Sequence, residues 1–215
     1  YDFDGAEREC QRAIELNPNS SMAHEVYARY LDGRGQHDKA ITKVKTAIDL
    51  EPTSRFNQRN LGIAFFYARR YTEAVVQFKR VVAMDENFRT AYVWLVAALE
   101  MQGNQSEAFE WQMKLLALQK ADEETIQLYK TIYQTLGWQG VLRERVKRFD
   151  QGDQAFFYGA AYNAPLGNKD KAFEYLEKAY QRRELWMFYL QVDPRLDSLR
   201  DDPRFDELVR RVGLK

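Results

Sequence analysis

The sequence predicts an all-α protein built from helical hairpins that stack side by side into a solenoid. Alanine recurs at positions 6, 40, 74 and 108, a spacing of 34 residues held through the first half of the chain. Repeats of this length are typical of stacked helix pairs. A second observation is the helical spacing of apolar residues within each unit, and a third is the placement of glycine, proline and capping residues between helices.

The regular part of the chain divides into segments in constant register. These segments are a half repeat at 1–18 and repeats at 21–52, 55–86 and 89–120. In each full repeat the first helix carries apolar residues at i, i+3, i+4 and i+7, and the second contains the recurring alanine. Small residues at Ala28 and Gly62 predict a close approach of paired helices, where a bulkier side chain costs about 1–3 kcal/mol.

The ends of the predicted helices carry residues that suit particular backbone conformations. Gly35 and Gly103 stand where a first helix ends, and glycine adopts the left-handed conformation of such a cap without strain. Ser20 and Ser54 precede first helices and are expected to accept a hydrogen bond from the first turn. The predicted caps of the second helices are Asp38, Thr72 and Ser106.

Beyond residue 120 the spacing becomes irregular and then recovers. An irregular helix pair is predicted over 122–150, with its turn at 137–140. A regular repeat returns over 153–182, in which Ala172 is a fifth copy of the recurring alanine. We therefore expect the solenoid to cover 1–182.

The last segment, 183–215, is predicted to be a helical cap. It contains Asp193–Pro194 and Asp202–Pro203, and aspartate followed by proline is a strong start signal for a helix. Short helices are expected over Arg195–Leu199 and Arg204–Val212. Solenoids need such caps because an end repeat otherwise exposes a core face.

These features resemble the tetratricopeptide repeat. The matching pattern has small residues at the eighth and twentieth places, an apolar or aromatic residue at the twenty-fourth, and Pro18 and Pro52 at the thirty-second. The resemblance implies a right-handed α–α superhelix of about five and a half helical hairpins with a C-terminal helical cap. It also implies a non-enzymatic module for protein–protein interaction.

The tail from Leu176 to Leu214 resembles the end of tetratricopeptide regions in bacterial multidomain signalling proteins. Those regions are attached to winged-helix transcription regulators, serine/threonine kinases or class III adenylate cyclases. The resemblance implies that this segment is part of a larger signalling or regulatory protein. An alternative function is therefore a regulatory region of a kinase or cyclase whose catalytic domain lies outside this sequence.

Charge and composition argue against several classes of partner. The 32 basic and 32 acidic residues balance, which disfavours nucleic acid or an anionic membrane as the main partner. No apolar run approaches the roughly 20 residues needed to span a bilayer. The single cysteine, Cys10, excludes an internal disulfide. We expect a protein or peptide partner, with no nucleic acid and no membrane bound by this segment.

No constellation of residues indicates catalysis, a cofactor or a metal. The two histidines, His24 and His37, take places in the repeat where other units carry aromatic or amide side chains, so both are interpreted as packing residues. No second histidine or cysteine stands at zinc-ligand spacing. Gly33–Arg34–Gly35 neither follows a strand nor matches a phosphate-binding fingerprint.

The candidate binding surface is the concave groove that the resemblance implies for the first helices. Places 2, 5, 9 and 12 of these helices lie roughly 130° from the packing face, at about 100° per residue. The predicted groove residues, including neighbours of these places, are Glu25, Arg29, Phe56, Arg59, Ile63, Phe66, Tyr67, Val93, Ala97, Met101 and Tyr133. Exposed aromatics beside an arginine suit a binding hot spot.

Two alternatives remain open for these surfaces. Ile63 and Val93 are also compatible with simple packing between neighbouring first helices. The half repeat opens on a second helix, so Ala6, Cys10 and Ala13 are expected to expose a face through which the chain forms a homodimer. The lysines and asparagines with which chaperone-binding members of the family hold a terminal carboxylate are not matched, so that activity is rejected.

Overall fold

The computed structural model describes residues 2–150 and 155–214, and within these ranges every regular element is a helix. The predicted all-α class is therefore confirmed. Tyr1, residues 153 and 154 at the start of the fifth repeat, and Lys215 lie outside the described residues. The α-helices are α1 (Phe3–Leu16), α2 (Ser21–Gly33), α3 (His37–Leu50), α4 (Arg55–Tyr67), α5 (Tyr71–Met84), α6 (Arg89–Gln102), α7 (Gln105–Leu118), α8 (Glu123–Asp150), α9 (Phe156–Asn163), α10 (Lys169–Gln181) and α11 (Pro203–Val212).

The described chain forms two compact units that divide between Lys120 and Ala121. The sequence-based boundary at 182/183 falls inside the second of them. In the first unit each helix packs against the next in sequence, and the first helices α2, α4 and α6 also contact one another in order. This is the arrangement of stacked hairpins that the 34-residue spacing predicted. With the two halves of α8 and the α9–α10 pair, the described residues supply the five and a half helix pairs expected.

The small residues of the repeat lie where paired helices approach most closely. Ala40, Ala74 and Ala108 have no exposed surface. A Cβ atom added to Gly62 would lie 2.5 Å from the ring of Phe78, closer than any real contact allows. The predicted close approach is confirmed, and in the second repeat glycine is needed because Phe78 occupies the space of a side chain.

A recurring hydrogen bond ties the start of each first helix to the turn that precedes it. His24 Nε2 lies 2.8 Å from the carbonyl oxygen of Pro18, and Gln58 Nε2 donates to that of Pro52 at 3.1 Å. Tyr92 Oη donates to the carbonyl oxygen of Glu86 at 2.9 Å. Three different side chains therefore perform one structural function at the same place of the repeat.

The helix ends confirm some predicted caps and correct others. Gly35 and Gly103 have positive φ angles of 72° and 83°. Ser20 and Ser54 each accept a hydrogen bond from the backbone N–H group three residues later in the chain. The second helices begin earlier than predicted. Their caps are Gln36, Arg70 and Asn104, so the prediction of Asp38, Thr72 and Ser106 was wrong.

The reason for this shift is the way in which the first helices end. The N–H groups of Gln36, Arg70 and Asn104 donate back to the carbonyls of Leu31, Phe65 and Leu99, at 2.8–2.9 Å. These bonds close the C-terminal turn of each first helix and reverse the chain. The second helix can then begin one residue later, so that Asp38, Thr72 and Ser106 fall within its first turn.

The second unit is less regular than the first. Its first helix, α8, is broken only at Gly137, whose φ and ψ of 61° and −159° are not helical. The predicted four-residue turn is therefore a single residue, and residues 138–140 belong to the following helix. α9 and α10 pack as the predicted repeat around a fully buried Ala172.

The C-terminal segment consists of two 3₁₀ helices, Leu185–Tyr189 and Pro194–Leu199, followed by α11. The aspartates before each proline are caps as predicted: Asp193 accepts from the N–H of Arg195 and Asp202 from that of Arg204. Arg195–Leu199 was expected as a short helix and forms a 3₁₀ helix. α11 packs its apolar side on α10.

Candidate functional site

The predicted groove residues divide into an open part and a buried part. Phe66 and Tyr67 were expected to line the groove, but they are 0% and 2% exposed. Their rings lie 5.3 and 5.9 Å from that of Trp94 on α6, in edge-to-face contact. Ala97 is also buried. The expectation that these three residues are accessible was wrong. Phe66 and Tyr67 are covered by Trp94, a large side chain of the neighbouring first helix α6.

The open part lies nearer the N-terminal ends of the first helices. Met22 is 74% exposed, Phe56 50% and Val26 43%. Three apolar side chains on two adjacent first helices, α2 and α4, therefore face solvent. Ile63 on α4 and Val93 on α6 are half-buried. Val93 packs against the buried core cluster that contains Val81, Tyr92 and Leu115. Of the other predicted residues, Met101 is half-buried on α6 and Tyr133 half-buried on α8 of the second unit.

Val26 was missed by the sequence analysis. Its equivalents in the next two repeats are Asn60 and Trp94, both buried, so the repeat pattern marks this place as interior. In the first repeat the same place is open. Only the contrast in size and polarity among the three residues signalled that the place behaves differently from one repeat to the next.

Two arginines and two phenylalanines form a cluster at the start of α4, which we call the arginine–phenylalanine patch (Arg55, Phe56, Arg59 and Phe88). The two rings meet edge to face with centroids 5.3 Å apart. The guanidinium of Arg55 lies 5.4 and 5.0 Å from the two ring centroids, and that of Arg59 lies 5.6 and 5.7 Å from them. All four distances are within the range of cation–π attraction.

Arg55 and Phe88 were not among the predicted site residues. Phe88 precedes the first residue of α6, at a place that the helical periodicity does not cover. Arg55 stands at place 1 of its helix, just outside the groove positions that were counted. Arg55 also forms an ion pair with Asp85, which ties the patch to the turn before α6.

A polar network holds the patch to the first repeat. Asn60 donates to the carboxylate of Glu25 and accepts from Arg59 Nε and Nη2 at 3.1 and 2.8 Å. Arg29 Nη1 lies 3.8 Å from the same carboxylate. Burial raises the pKa of Glu25, while Arg29 and Arg59 act in the opposite direction. Arg59 is therefore oriented on two sides, by rings and by an amide.

The two histidines have structural partners. His24 is buried and forms the bond to Pro18 described above, as its interpretation as a packing residue requires. His37 is partly exposed, and its Nδ1 lies 3.0 Å from a carboxylate oxygen of Asp32. In residues 2–150 and 155–214, no group of three or more histidine, cysteine, aspartate or glutamate side chains is placed to hold a metal ion.

The first helix of the chain differs from its equivalents in later repeats. Ala6 and Ala13 are exposed and Cys10 is half-buried, whereas the corresponding residues of α3 and α5 are buried. Burial, and secondarily the charge of Glu7, raises the pKa of the Cys10 thiol. An apolar, small-residue face of α1 is therefore accessible, as the sequence predicted.

A shallow cleft in the second unit runs between α10 and α11. Its floor is formed by Phe173 and Leu208. Charged side chains close over the floor as ion pairs, with Arg211 2.8 Å from Glu177 and Arg204 2.8 Å from Asp170. Arg204 also stacks on Phe173, 4.1 Å from its ring centroid. These contacts join the two helices.

Comparison with known proteins identifies the repeats. Residues 9–42 and 59–123 match models of the tetratricopeptide repeat. Over 107 residues the chain is 33% identical to the small glutamine-rich tetratricopeptide repeat-containing protein 2 of Mycosarcoma maydis, a match that covers 50% of this chain and 30% of that protein. The chain thus spans under a third of the length of this relative.

Solved structures show the same fold at lower identity. The pilF protein of Pseudomonas aeruginosa has a TM-score of 0.56 at 18% identity, with 87% of each chain covered. MamA has a TM-score of 0.50 at 21% identity, with 85% of this chain and 90% of that chain covered. With the stacked hairpins described above, these matches show the fold of tetratricopeptide repeat proteins, and residues 9–42 and 59–123 match the repeat itself. Among the described helices, none is long and apolar enough to cross a membrane.

Proposed function

We propose that the first unit of this chain binds a segment of another protein across α2, α4 and α6. The observation that carries the proposal is the row of exposed apolar side chains Met22, Val26 and Phe56 on adjacent first helices. Large apolar side chains exposed together on one face favour a protein contact over plain solvent exposure.

The mode of binding that suits this surface is docking of a helix or an extended segment. Phe56 is a rigid aromatic anchor, and arginine beside an aromatic side chain is typical of interface hot spots. The surface is therefore suited to binding a protein segment rather than to catalysis. We propose no catalytic, cofactor-binding or metal-binding function for this segment, and neither nucleic acid nor membrane as its partner, in keeping with its balanced charge.

A photo-crosslinking experiment tests the docking proposal. The amino acid p-benzoylphenylalanine replaces Val26 in one variant and Val76 in a control. Val76 is also an exposed valine of the first unit, but it lies on the second helix α5. We expect adducts to a distinct protein from position 26 and not from position 76. Equal crosslinking at both positions, or adducts only to the chain itself, would contradict docking.

Homo-oligomerisation is the second candidate, and the exposed face of α1 favours it. A second copy would cover Ala6, Cys10 and Ala13. Sedimentation equilibrium of the unaltered chain, Ala13→Glu and the control Ala83→Glu tests this. Ala83 is an exposed alanine on α5. Self-association lost only in Ala13→Glu supports the candidate, and a monomeric unaltered chain at high concentration rejects it.

We further propose that the segment belongs to a larger bacterial signalling or regulatory protein, on the resemblance of its C-terminal tail. The repeats would then recruit a partner for an effector domain, or regulate a kinase or cyclase. The coding sequence upstream of Tyr1 tests this proposal directly. A winged-helix, kinase or cyclase domain encoded there supports it, and the absence of such a domain from the reading frame contradicts it.

A further inference from the structure

We propose that the second unit binds a proline-rich segment of another protein on an aromatic surface of its own. We call this surface the tyrosine–tryptophan surface (Tyr158, Tyr162, Leu185 and Trp186). Tyr158 and Tyr162 lie one turn apart on α9, and Leu185 and Trp186 begin the 3₁₀ helix Leu185–Tyr189. The proposal is independent of docking on the first unit. It is drawn from the exposure of these side chains, their hydrogen-bonding capacity and the state of the charged groups beside them.

The surface brings aromatic rings from two elements together and leaves them partly open. The ring centroids of Tyr158 and Trp186 are 5.2 Å apart, and both side chains are half-buried, as is that of Tyr162. Leu185, next to Trp186 in the chain, is 78% exposed. Aromatic and apolar side chains that stay open together on a packed unit favour contact with a partner.

The polar atoms of the surface are available to a ligand. Among residues 2–150 and 155–214, the hydroxyls of Tyr158 and Tyr162 and Nε1 of Trp186 form no hydrogen bond. The fully buried side-chain atoms without a partner in these ranges are His24 Nδ1 and Trp138 Nε1, so the three atoms of the surface reach solvent. Each of the three carries a hydrogen that it can donate.

The tyrosine hydroxyl nearest to Trp186 keeps its proton. Burial raises the pKa of Tyr158, and the charge of Arg195 opposes this shift without reversing it. At neutral pH the hydroxyl is therefore a donor. With Tyr162 and Trp186, the surface offers three donors to a ligand.

The charged groups beside the surface are engaged within the chain. The guanidinium of Arg195 lies 5.6 Å from the ring centroid of Tyr158, but it forms a buried, bidentate pair with Asp193. The carboxylate of Glu184 accepts from the N–H groups of the first two residues of α9, at 2.9 and 3.1 Å. This contact fixes the 3₁₀ helix to α9. The two carboxylates therefore bind groups of the chain itself.

A proline-rich segment suits a surface that offers donors and aromatic rings. Proline has a carbonyl oxygen but no N–H group. A polyproline II segment has no internal hydrogen bonds, so its carbonyls are free to accept. A segment rich in N–H groups would bury donors there without acceptors, which costs free energy. Proline rings also pack against aromatic side chains, the mode by which aromatic-lined grooves bind such segments.

Fluorescence anisotropy with a labelled decaproline peptide, blocked at its free end, tests the proposal on the 215-residue chain. A labelled peptide of the same length that alternates glycine and serine is the control ligand. Tyr158→Phe and Trp186→Phe each remove one donor and keep a ring. Their matched controls are Tyr180→Phe, whose hydroxyl bonds elsewhere in the second unit, and Trp111→Phe, whose Nε1 bonds within α7. Thermal unfolding establishes that every variant is folded.

We expect the unaltered chain to bind decaproline and not the glycine–serine peptide. Each donor variant should bind decaproline about three- to tenfold more weakly, the loss expected for one hydrogen bond. Both control variants should bind it as the unaltered chain does. Because decaproline has no charged side chain, added salt should leave its affinity unchanged.

The remaining outcomes overturn the proposal. They are no binding of decaproline, equal binding of both peptides, unchanged affinity in either donor variant, or displacement of decaproline by inorganic phosphate. Displacement would indicate an anion site at Arg145, which lies 4.6 Å from the ring centroid of Tyr162. Loss of decaproline binding in Phe56→Ala, with the donor variants unaffected, would assign the proline-rich segment to the first unit. The crosslinking at Val26 tests docking on the first unit separately.

Discussion

The two units of this chain use different means to hold helices together. In the first unit one structural function is repeated at one place, as His24, Gln58 and Tyr92 show by bonding to the carbonyl six residues before them. Their chemistry differs, but each side chain reaches the same acceptor. In a repeating unit, therefore, the position of a residue predicts its function better than its identity does.

The second unit contains two copies of Asp-Pro-Arg, whose ion pairs show how far the environment changes the value of one interaction. Asp193 and Arg195 are both buried and joined by a bidentate pair at 3.0 and 2.6 Å. Asp202 and Arg204 form the same bonds at 3.0 and 2.8 Å, with the arginine side chain half-exposed. Identical sequence and geometry thus occur once in the interior and once at the surface.

The largest expected effect comes from replacing the aspartate of each Asp-Pro-Arg copy in turn. Asp193→Asn keeps a capping side chain but leaves the buried Arg195 guanidinium without its carboxylate, which costs about 3–5 kcal/mol of unfolding free energy. Asp202→Asn is the matched control and should cost much less, because water solvates Arg204 and screens its pair. Denaturant unfolding of both variants measures the difference. Equal losses would show that the buried pair has no special role.

The next effect concerns the close approach in the first unit. Gly62→Val should lower the unfolding free energy by about 1–3 kcal/mol, because its side chain meets the ring of Phe78. Ala6→Val is the matched control on an exposed helix face and should leave stability unchanged. In the double variant Gly62→Val/Phe78→Val, the total loss should be smaller than the sum of the single losses. Simple additivity would mean that the two residues do not compete for space.

Features that recur could be predicted from the sequence, and features that depend on a second helix could not. The buried Ala40, Ala74 and Ala108 followed from the spacing alone, because three copies in phase reveal a shared environment. The burial of Phe66 did not, since the covering ring of Trp94 belongs to another first helix. A helical wheel describes only the helix on which it is drawn.

The caps and the patch were missed for related reasons. Asp38 has a better capping side chain than Gln36, but the bond from Gln36 N–H to Leu31 starts the second helix before Asp38 is reached. Phe88 lies outside any helix, so no periodicity marks it, and its contact with Phe56 joins residues of different repeats. The start of the second helix is therefore set by the backbone hydrogen bond that closes the first helix, and the patch is set by a contact between repeats. The spacing of residues in the sequence predicts neither.

A smaller effect tests whether position outweighs identity in the repeats. His24→Gln should leave stability unchanged or slightly raised, because glutamine already makes this bond in the next repeat and no longer leaves a ring nitrogen buried. His24 Nδ1 has no hydrogen-bond partner among the described residues. His24→Leu should lose about 1 kcal/mol with the bond to Pro18. Thermal unfolding compares the two, and an equal loss in both would mean that histidine itself is required.

The smallest effect is a pair of opposite responses to pH, one in each unit. Burial raises the pKa of Asp32, opposed by the hydrogen bond and charge of His37. Hydrogen bonds from Arg204 lower the pKa of Asp202 from 3.8 to about 2. Carbon-13 NMR titration of the aspartate carboxyls should therefore give a higher midpoint for Asp32 than for Asp202, with Asp32→Asn and Asp202→Asn assigning the signals. The reverse order would contradict both causes.

The same shifts predict opposite contributions to stability. In the window between the unfolded and folded pKa of Asp32, the folded chain binds more protons than the unfolded chain, so its contribution to stability grows as the pH falls. The contribution of Asp202 is complete above about 3.8 and is lost as the pH falls towards about 2. Asp202→Asn should therefore flatten the acid loss of stability, while Asp32→Asn should steepen it. Unfolding midpoints of the unaltered chain and the two variants between neutral and acid pH measure these slopes. If both substitutions change the slope in the same direction relative to the unaltered chain, the two carboxyls do not respond to their environments as the structure requires.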